Sequence, residues 1–160
     1  VYVVFINSGQ PHRASGFRGW IKTMAYMSQE KKKSIHEKIK PLLKEYGVKA
    51  TMSVEHSSTL NLNIKSAKID FIENYNEQAK RHDFRIREGY LQVHQSFVTE
   101  KVRPWFTGAA LEFLQKAIAI MNEGNHDRSD SQSDYYDVGW YSYINIGSWE
   151  RGFIFEAANE

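Results

Sequence analysis

The sequence predicts a small α+β domain: a mostly antiparallel sheet with two main helices packed on one of its faces. Residues 28–46 and 107–121 place apolar side chains at helical spacing behind good capping residues. Residues 48–65 alternate apolar and polar side chains in two runs joined by a polar turn. Helical and extended segments do not alternate regularly along the chain. A doubly wound parallel sheet therefore fits worse than helices segregated to one face of an antiparallel sheet.

Residues 1–6, VYVVFI, are apolar, β-branched and aromatic, and read as a strand. Residues 7–23 carry glycines and a proline and read as a connector. This stretch differs in composition from residues 24–160. The division expected is a connector region at 1–23, which need not be native to the domain, and a single domain at 24–160, with Met24 as an alternative start.

Ser28 suits a helix N-cap, and Glu30 places a carboxylate in the first turn, where the helix dipole favours it. Ile35, Ile39, Leu42, Leu43 and Tyr46 share one face. Pro41 removes a backbone donor and should kink or split this helix. Gly47 should end it.

Val48, Ala50, Met52 and Val54 alternate with Lys49, Thr51, Ser53 and Glu55. Leu60, Leu62 and Ile64 alternate with Asn61, Asn63 and Lys65. The two runs should pair as an antiparallel hairpin around His56-Ser57-Ser58. Ser57, Ser58 and Thr59 can satisfy such a bend with their hydroxyls, which makes His56 a turn residue first.

Ile69, Phe71 and Ile72 lead into ENYNEQAKRHDF, a short helix or a loop. Tyr90–His94 reads as a third strand. Thr107 should cap a helix whose stripe is Ala110, Leu111, Phe113, Leu114, Ala117, Ile118 and Met121. Residues 122–134 read as a polar loop. Trp140, Tyr141, Tyr143, Ile144 and Ile146 make a further strand, and residues 153–155 a terminal one.

A hydrophobic fraction of 41% is enough for a core, and no apolar run is long enough to span a membrane. VYVVFI is too short for a leader and lacks its basic start. The chain has no cysteine, which excludes disulfides, thiolate metal sites and a cysteine nucleophile, and fits a reducing cytosol.

No phosphate-cradling loop, dinucleotide glycine pattern or zinc-protease motif occurs. The histidines at 12, 36, 56, 82, 94 and 126 form no tight pair at metal-ligand spacing, so no metal and no cofactor is expected. A hydrolase or nuclease reading would need His56, His94 and Asp70 to converge.

Formal net charge is only +2, but it is uneven. Eight lysines lie between Lys22 and Lys49 against three glutamates, and five acids lie between Glu123 and Asp137 against Arg128. A nucleic-acid surface would combine Lys31, Lys32, Lys33, Lys40 and Lys44 with Asn61, Asn63 and Lys65 on the hairpin. Lysines suit phosphates, and side-chain amides suit base edges. Against this, RNA-reading sheets stack bases on aromatics, and the hairpin has none. The later aromatic segment suggests a protein-binding patch of Tyr135, Tyr136, Trp140, Tyr141 and Trp149.

The stretch AYMSQEKKKSIHEKIKPLLKEYGVKATMSVEHSSTLNLNIKSAKIDFIENYN, with the later FTGAALEFL and SDYYDVGWYSYINIG, resembles small uncharacterised accessory proteins of tailed bacteriophages and prophages. It also resembles a domain of large polyvalent proteins of mobile elements. The resemblance spans Met24 to Gly147. It implies a protein of the infected bacterial cytoplasm, without enzymatic activity, that binds a host protein or nucleoprotein complex. An anti-defence role, as of anti-CRISPR proteins, is one form of this. It carries over no catalytic residue.

Overall fold

The computed structural model describes residues 24–157, so the expected strand at 1–6 and connector at 7–23 lie outside the described residues. The described residues form nine elements: α1 (Gln29–Tyr46), β1 (Val48–Glu55), β2 (Thr59–Ala67), α2 (Phe71–Arg81), β3 (Leu91–Val93), α3 (Ser96–Thr99), α4 (Gly108–Met121), β4 (Tyr141–Ile146) and β5 (Ile154–Phe155). The fold is α+β. A mixed, mostly antiparallel sheet of five strands has α1 and α4 packed against it.

α1 begins where the sequence places it. The Ser28 side chain accepts from the Lys31 N–H at 3.1 Å, and Gly47 closes the helix at φ 63°. The expected split at Pro41 does not occur, and α1 runs through it as one helix. Pro41 is exposed, so water can reach the carbonyl it leaves unbonded. Buried Ile39, Leu42 and Leu43 on either side hold both halves to the core.

β1 and β2 form the expected antiparallel hairpin, with Met52 opposite Leu62. The register skips Lys65, which sits at a bulge. The turn is tighter than its composition suggests. His56 and Ser57 both have positive φ, 50° and 56°, and Ser58 N–H closes on Glu55 O at 3.1 Å. The backbone therefore makes this bend, with two residues in a region that favours glycine or asparagine.

β2 is the centre of the sheet. β1 flanks it antiparallel, while β4 and β5 run parallel to it on the other side. A parallel neighbour requires a long crossover, and here α2, β3, α3 and α4 all lie within it. β3 completes the order by pairing antiparallel with β4.

The polar stretch after Phe71 is a true helix. Asp70 caps α2 by accepting from Glu73 N–H at 3.0 Å. Its apolar side enters the core, where Phe71 lies 5.5 Å from Phe113 of α4, and Phe113 lies 5.5 Å from Tyr46 of α1. Three helices thus meet on one ring. Thr107 precedes α4 without a side-chain cap; instead Asn74 of α2 grips its backbone, accepting from Thr107 N–H at 3.0 Å. Residues 127–138 form a small bridged arm rather than an open loop, pairing Asp127 with Val138 and Asp130 with Tyr135.

The inner sheet face, made of Met52, Leu60, Leu62, Ile64, Leu91, Val93, Ile144 and Ile146, is buried under the helices. Each such side chain contributes about 1.5–3 kcal/mol on burial.

Candidate nucleic-acid interface and an adjoining cleft

The opposite sheet face has no helix on it among the described residues, and alternation decides what it displays. β1 turns Thr51, Ser53 and Glu55 outward, and β2 turns Asn61, Asn63 and Lys65. β4 turns Tyr141, Tyr143 and Asn145 outward, while their neighbours Ser142, Ile144 and Ile146 are buried. β3 and its flanks add Tyr90, Gln92 and His94.

A row of hydrogen bonds crosses four strands on this face. Asn63 Nδ2 donates to Ser53 Oγ at 2.9 Å, and Asn145 Nδ2 donates to Asn63 Oδ1 at 2.9 Å. Gln92 Nε2 then donates to Asn145 Oδ1 at 3.1 Å. Beside this row Asn61 Nδ2 donates to Glu55 Oε2 at 3.0 Å. Asn61 Oδ1 is buried without a donor among the described residues.

Aromatic rings flank the row. At one end Tyr143 lies 5.5 Å from the His94 ring, with Tyr141 two residues before it on the same face. At the other end Trp149, 94% exposed, stacks on Tyr90 at 6.5 Å and 25°. The two ends are separated by about 13 Å along β4, at about 3.3 Å per residue. Two grooves of about 420 and 730 Å³ meet at Tyr90 and Trp149. Lys65 and Arg151 line the first; Arg85, Arg87 and Glu88 line the second.

Backbone contacts hold this end in place. Asn76, buried in α2, donates to Arg87 O at 2.8 Å and accepts from Arg87 N–H at 2.7 Å. Phe153 N–H donates to Gly89 O at 2.7 Å. Gly147 turns the chain at φ 72°, where any Cβ would overlap the Gly89 carbonyl.

A separate cleft of about 270 Å³ lies at the other end, lined by His94, Gln95, Asn122, Asn125, His126, Asp127, Val138 and Trp140–Ser142. His126 Nε2 stands 3.0 Å from Asp137 Oδ1. Asp127 is held below the usual carboxylate range, first by the Ser129 hydroxyl and then by the Ser129 N–H.

The residues expected from sequence divide. Lys65 and Asn63 lie on the open face, but both ends of the Asn63 amide are already bonded. Asn61, expected to face outward as a contact, is 2% exposed. The lysines of α1 lie on the far side of the molecule, since that helix packs its apolar stripe on the inner sheet face. The basic helix and the polar hairpin therefore do not form one surface. Lys31 stands 3.9 Å over the Trp140 ring, and Lys40 pairs with Glu37 at 2.6 Å. Lys33 and Lys44 are exposed and Lys32 half-buried.

Of the aromatic set, Trp140 leaves the surface. It is 3% exposed and donates from Nε1 to Met121 O at 3.0 Å, which makes it a core residue. Tyr135, Tyr136, Tyr141 and Trp149 are exposed, but on three different segments. The His56, His94 and Asp70 constellation does not form. His56 sits in the turn before β2 and Asp70 beyond its far end, about 26 Å away at β2's length of nine residues. Among the described residues no group of three or more histidine or acidic side chains is placed to hold a metal.

The pairing of Tyr143 and Asn145 with the hairpin, and of His126 with Asp137, was missed from sequence. Period-2 alternation in YSYINI was the available signal for the first. Compared with known protein families, curated proteins and solved structures, the chain shows no significant match. No helix among the described residues is long and apolar enough to cross a membrane.

Proposed function

We propose that the chain binds single-stranded nucleic acid across the sheet face that no described helix covers. The observation that carries this reading is the aromatic pair at each end of a hydrogen-bonding sheet, with Lys65, Arg85, Arg87 and Arg151 beside the Tyr90–Trp149 pair. Bases stack on exposed rings irrespective of sequence, at about 1–3 kcal/mol each, and cations beside the rings take the phosphates. The rings absent from the hairpin are supplied by β4 and by the flanks of β3. The infected bacterial cytoplasm and host nucleoprotein implied by the phage resemblance are a setting in which such a strand is displayed.

Fluorescence anisotropy with labelled ten-nucleotide RNA and DNA, against a duplex of the same length, tests it. Single strands should bind in preference to the duplex. Four phosphate contacts would give a salt slope of about −3. No retention of either single strand at low salt would sink the reading. A second reading, contact with a host protein, rests on Tyr135 and Tyr136, exposed side by side on the 127–138 arm.

A further inference from the structure

β1 is the long edge of the sheet. Among the described residues nothing pairs with its outer side, so one row of backbone N–H and C=O groups along Val48–Glu55 lacks a sheet partner. The other edges are short, since β3 has three residues and β5 two. Edges that must stay single are commonly shortened, bulged, or broken by proline or an inward charge. β1 carries none of these devices. It holds no proline, its inward side chains Val48, Ala50, Met52 and Val54 are apolar, and the hairpin's bulge lies on β2 at Lys65. Ala50 and Val54 are only half-buried, so apolar surface reaches the edge.

We infer that β1 pairs antiparallel with β1 of a second copy of this chain, joining two sheets into one. The strand's own side chains select this occupant and its register. A two-fold axis perpendicular to the sheet keeps both sets of helices on one side. Strand side chains alternate between faces, so opposite residues must share a face and the axis must pass through one residue facing itself.

An axis through Met52 matches every position. Lys49 faces the partner's Glu55, Glu55 faces the partner's Lys49, and Thr51 faces the partner's Ser53. On the helix side, Met52 lies beside the partner's Met52 and Ala50 beside the partner's Val54. The neighbouring axes lose the charge match. Through Thr51, Lys49 meets the partner's Ser53 and Glu55 runs past the strand's end. Through Ser53, Glu55 meets the partner's Thr51 and Lys49 is left over.

Both charges can take such a partner. The Lys49 side chain is 70% exposed where it bonds Glu156. Glu55 accepts from Asn61 through Oε2, and a carboxylate has room for further donors. Exposed ion pairs add little affinity, so these set the register, while backbone bonds and the apolar edge hold the copies together. The two faces that no described helix covers then look the same way and form one surface.

The test uses the purified full chain without nucleic acid, by sedimentation velocity across micromolar concentrations. A reversible dimer is expected. Hydrogen exchange on the native chain should show alternate amides of residues 49–55 slowing as concentration rises. Lys49→Glu and Glu55→Lys set like charges opposite each other at two symmetric places, and each should weaken the dimer by about tenfold. The double variant Lys49→Glu with Glu55→Lys should restore native affinity to within about threefold. The two single variants mixed should favour the heterodimer, in which both pairs are again opposite in sign. Glu156→Gln removes the Lys49 ion pair without touching the edge and should leave the dimer intact. A monomer at every concentration overturns the inference, whether another segment closes the edge or none does. A dimer that leaves the β1 amides unprotected, that ignores both single substitutions, that stays weak in the double variant, or that fails in Glu156→Gln as in Lys49→Glu also overturns it.

Discussion

Asn145 donates to Asn63 across two parallel strands at 2.9 Å, although the two residues are 82 apart in sequence. This bond ties the late aromatic strand to the early hairpin. It places Tyr141 and Tyr143 on the same face as Lys65.

Replacing Asn63 with Asp keeps the acceptor that Asn145 uses, and Ser53 can turn its hydroxyl to donate. The fold should be retained, with a melting shift of a few degrees. A carboxylate would now stand in the middle of the face. The affinity for single-stranded RNA should fall by about tenfold, roughly 1.4 kcal/mol, read by anisotropy at fixed salt.

Trp149 separates binding from folding. At 94% exposure its removal should change stability by less than about 0.5 kcal/mol. Trp149→Ala should nonetheless weaken single-strand binding by about 1–3 kcal/mol, the worth of one stacked base. Denaturant melts and titrations on the same sample measure both.

Trp140 should behave in the opposite way. Trp140→Phe leaves Met121 O without its indole donor and leaves a smaller ring under Lys31. A loss of about 1–3 kcal/mol is expected in urea, with RNA affinity per folded molecule unchanged.

The hairpin turn holds removable strain. Asn-Gly in place of His56-Ser57 suits two positive φ values, and the backbone bonds of the turn do not involve either side chain. The double substitution should stabilise the protein by about 1 kcal/mol, seen as a rise in melting temperature of several degrees.

β5 should loosen in acid. Glu156 accepts from Lys49 Nζ at 2.8 Å and Ser66 Oγ at 2.6 Å, and the Lys49 bond, then the Ser66 bond, holds its carboxyl below the usual range. A depressed folded value means that stability is present above the ordinary glutamate range and is lost as pH falls through the folded value. The protection factor of the Glu156 amide, whose N–H bonds Ala67 O at 2.8 Å, should fall at low pH in the native chain once the slower intrinsic exchange is divided out. In Glu156→Gln it should not show that dependence.

The hairpin, α1 and α4 were legible because their signals are local: a cap, a stripe and an alternation. The neighbours of β2 were not. β4 joins it in parallel after a crossover of more than 70 residues, and nothing in YSYINI names its partner. The same gap misplaced the candidate site. The α1 lysines and the hairpin asparagines look like one basic surface in sequence, but the sheet stands between them. Trp140 and Tyr141 are adjacent in the chain and face opposite ways because strand alternation parts them. The split expected at Pro41 does not occur because a single lost helix bond is outweighed by the buried residues around it.

Single-strand affinity of two variant sets, measured side by side, tests the central claim most directly. One set removes the open-face rings, Tyr90→Ala with Trp149→Ala; the other removes the helix charges, Lys31→Ala, Lys32→Ala and Lys33→Ala. Loss of RNA binding in the first set, with near-native affinity in the second, is the predicted result. Binding that survives without the rings and fails without the lysines would contradict the account.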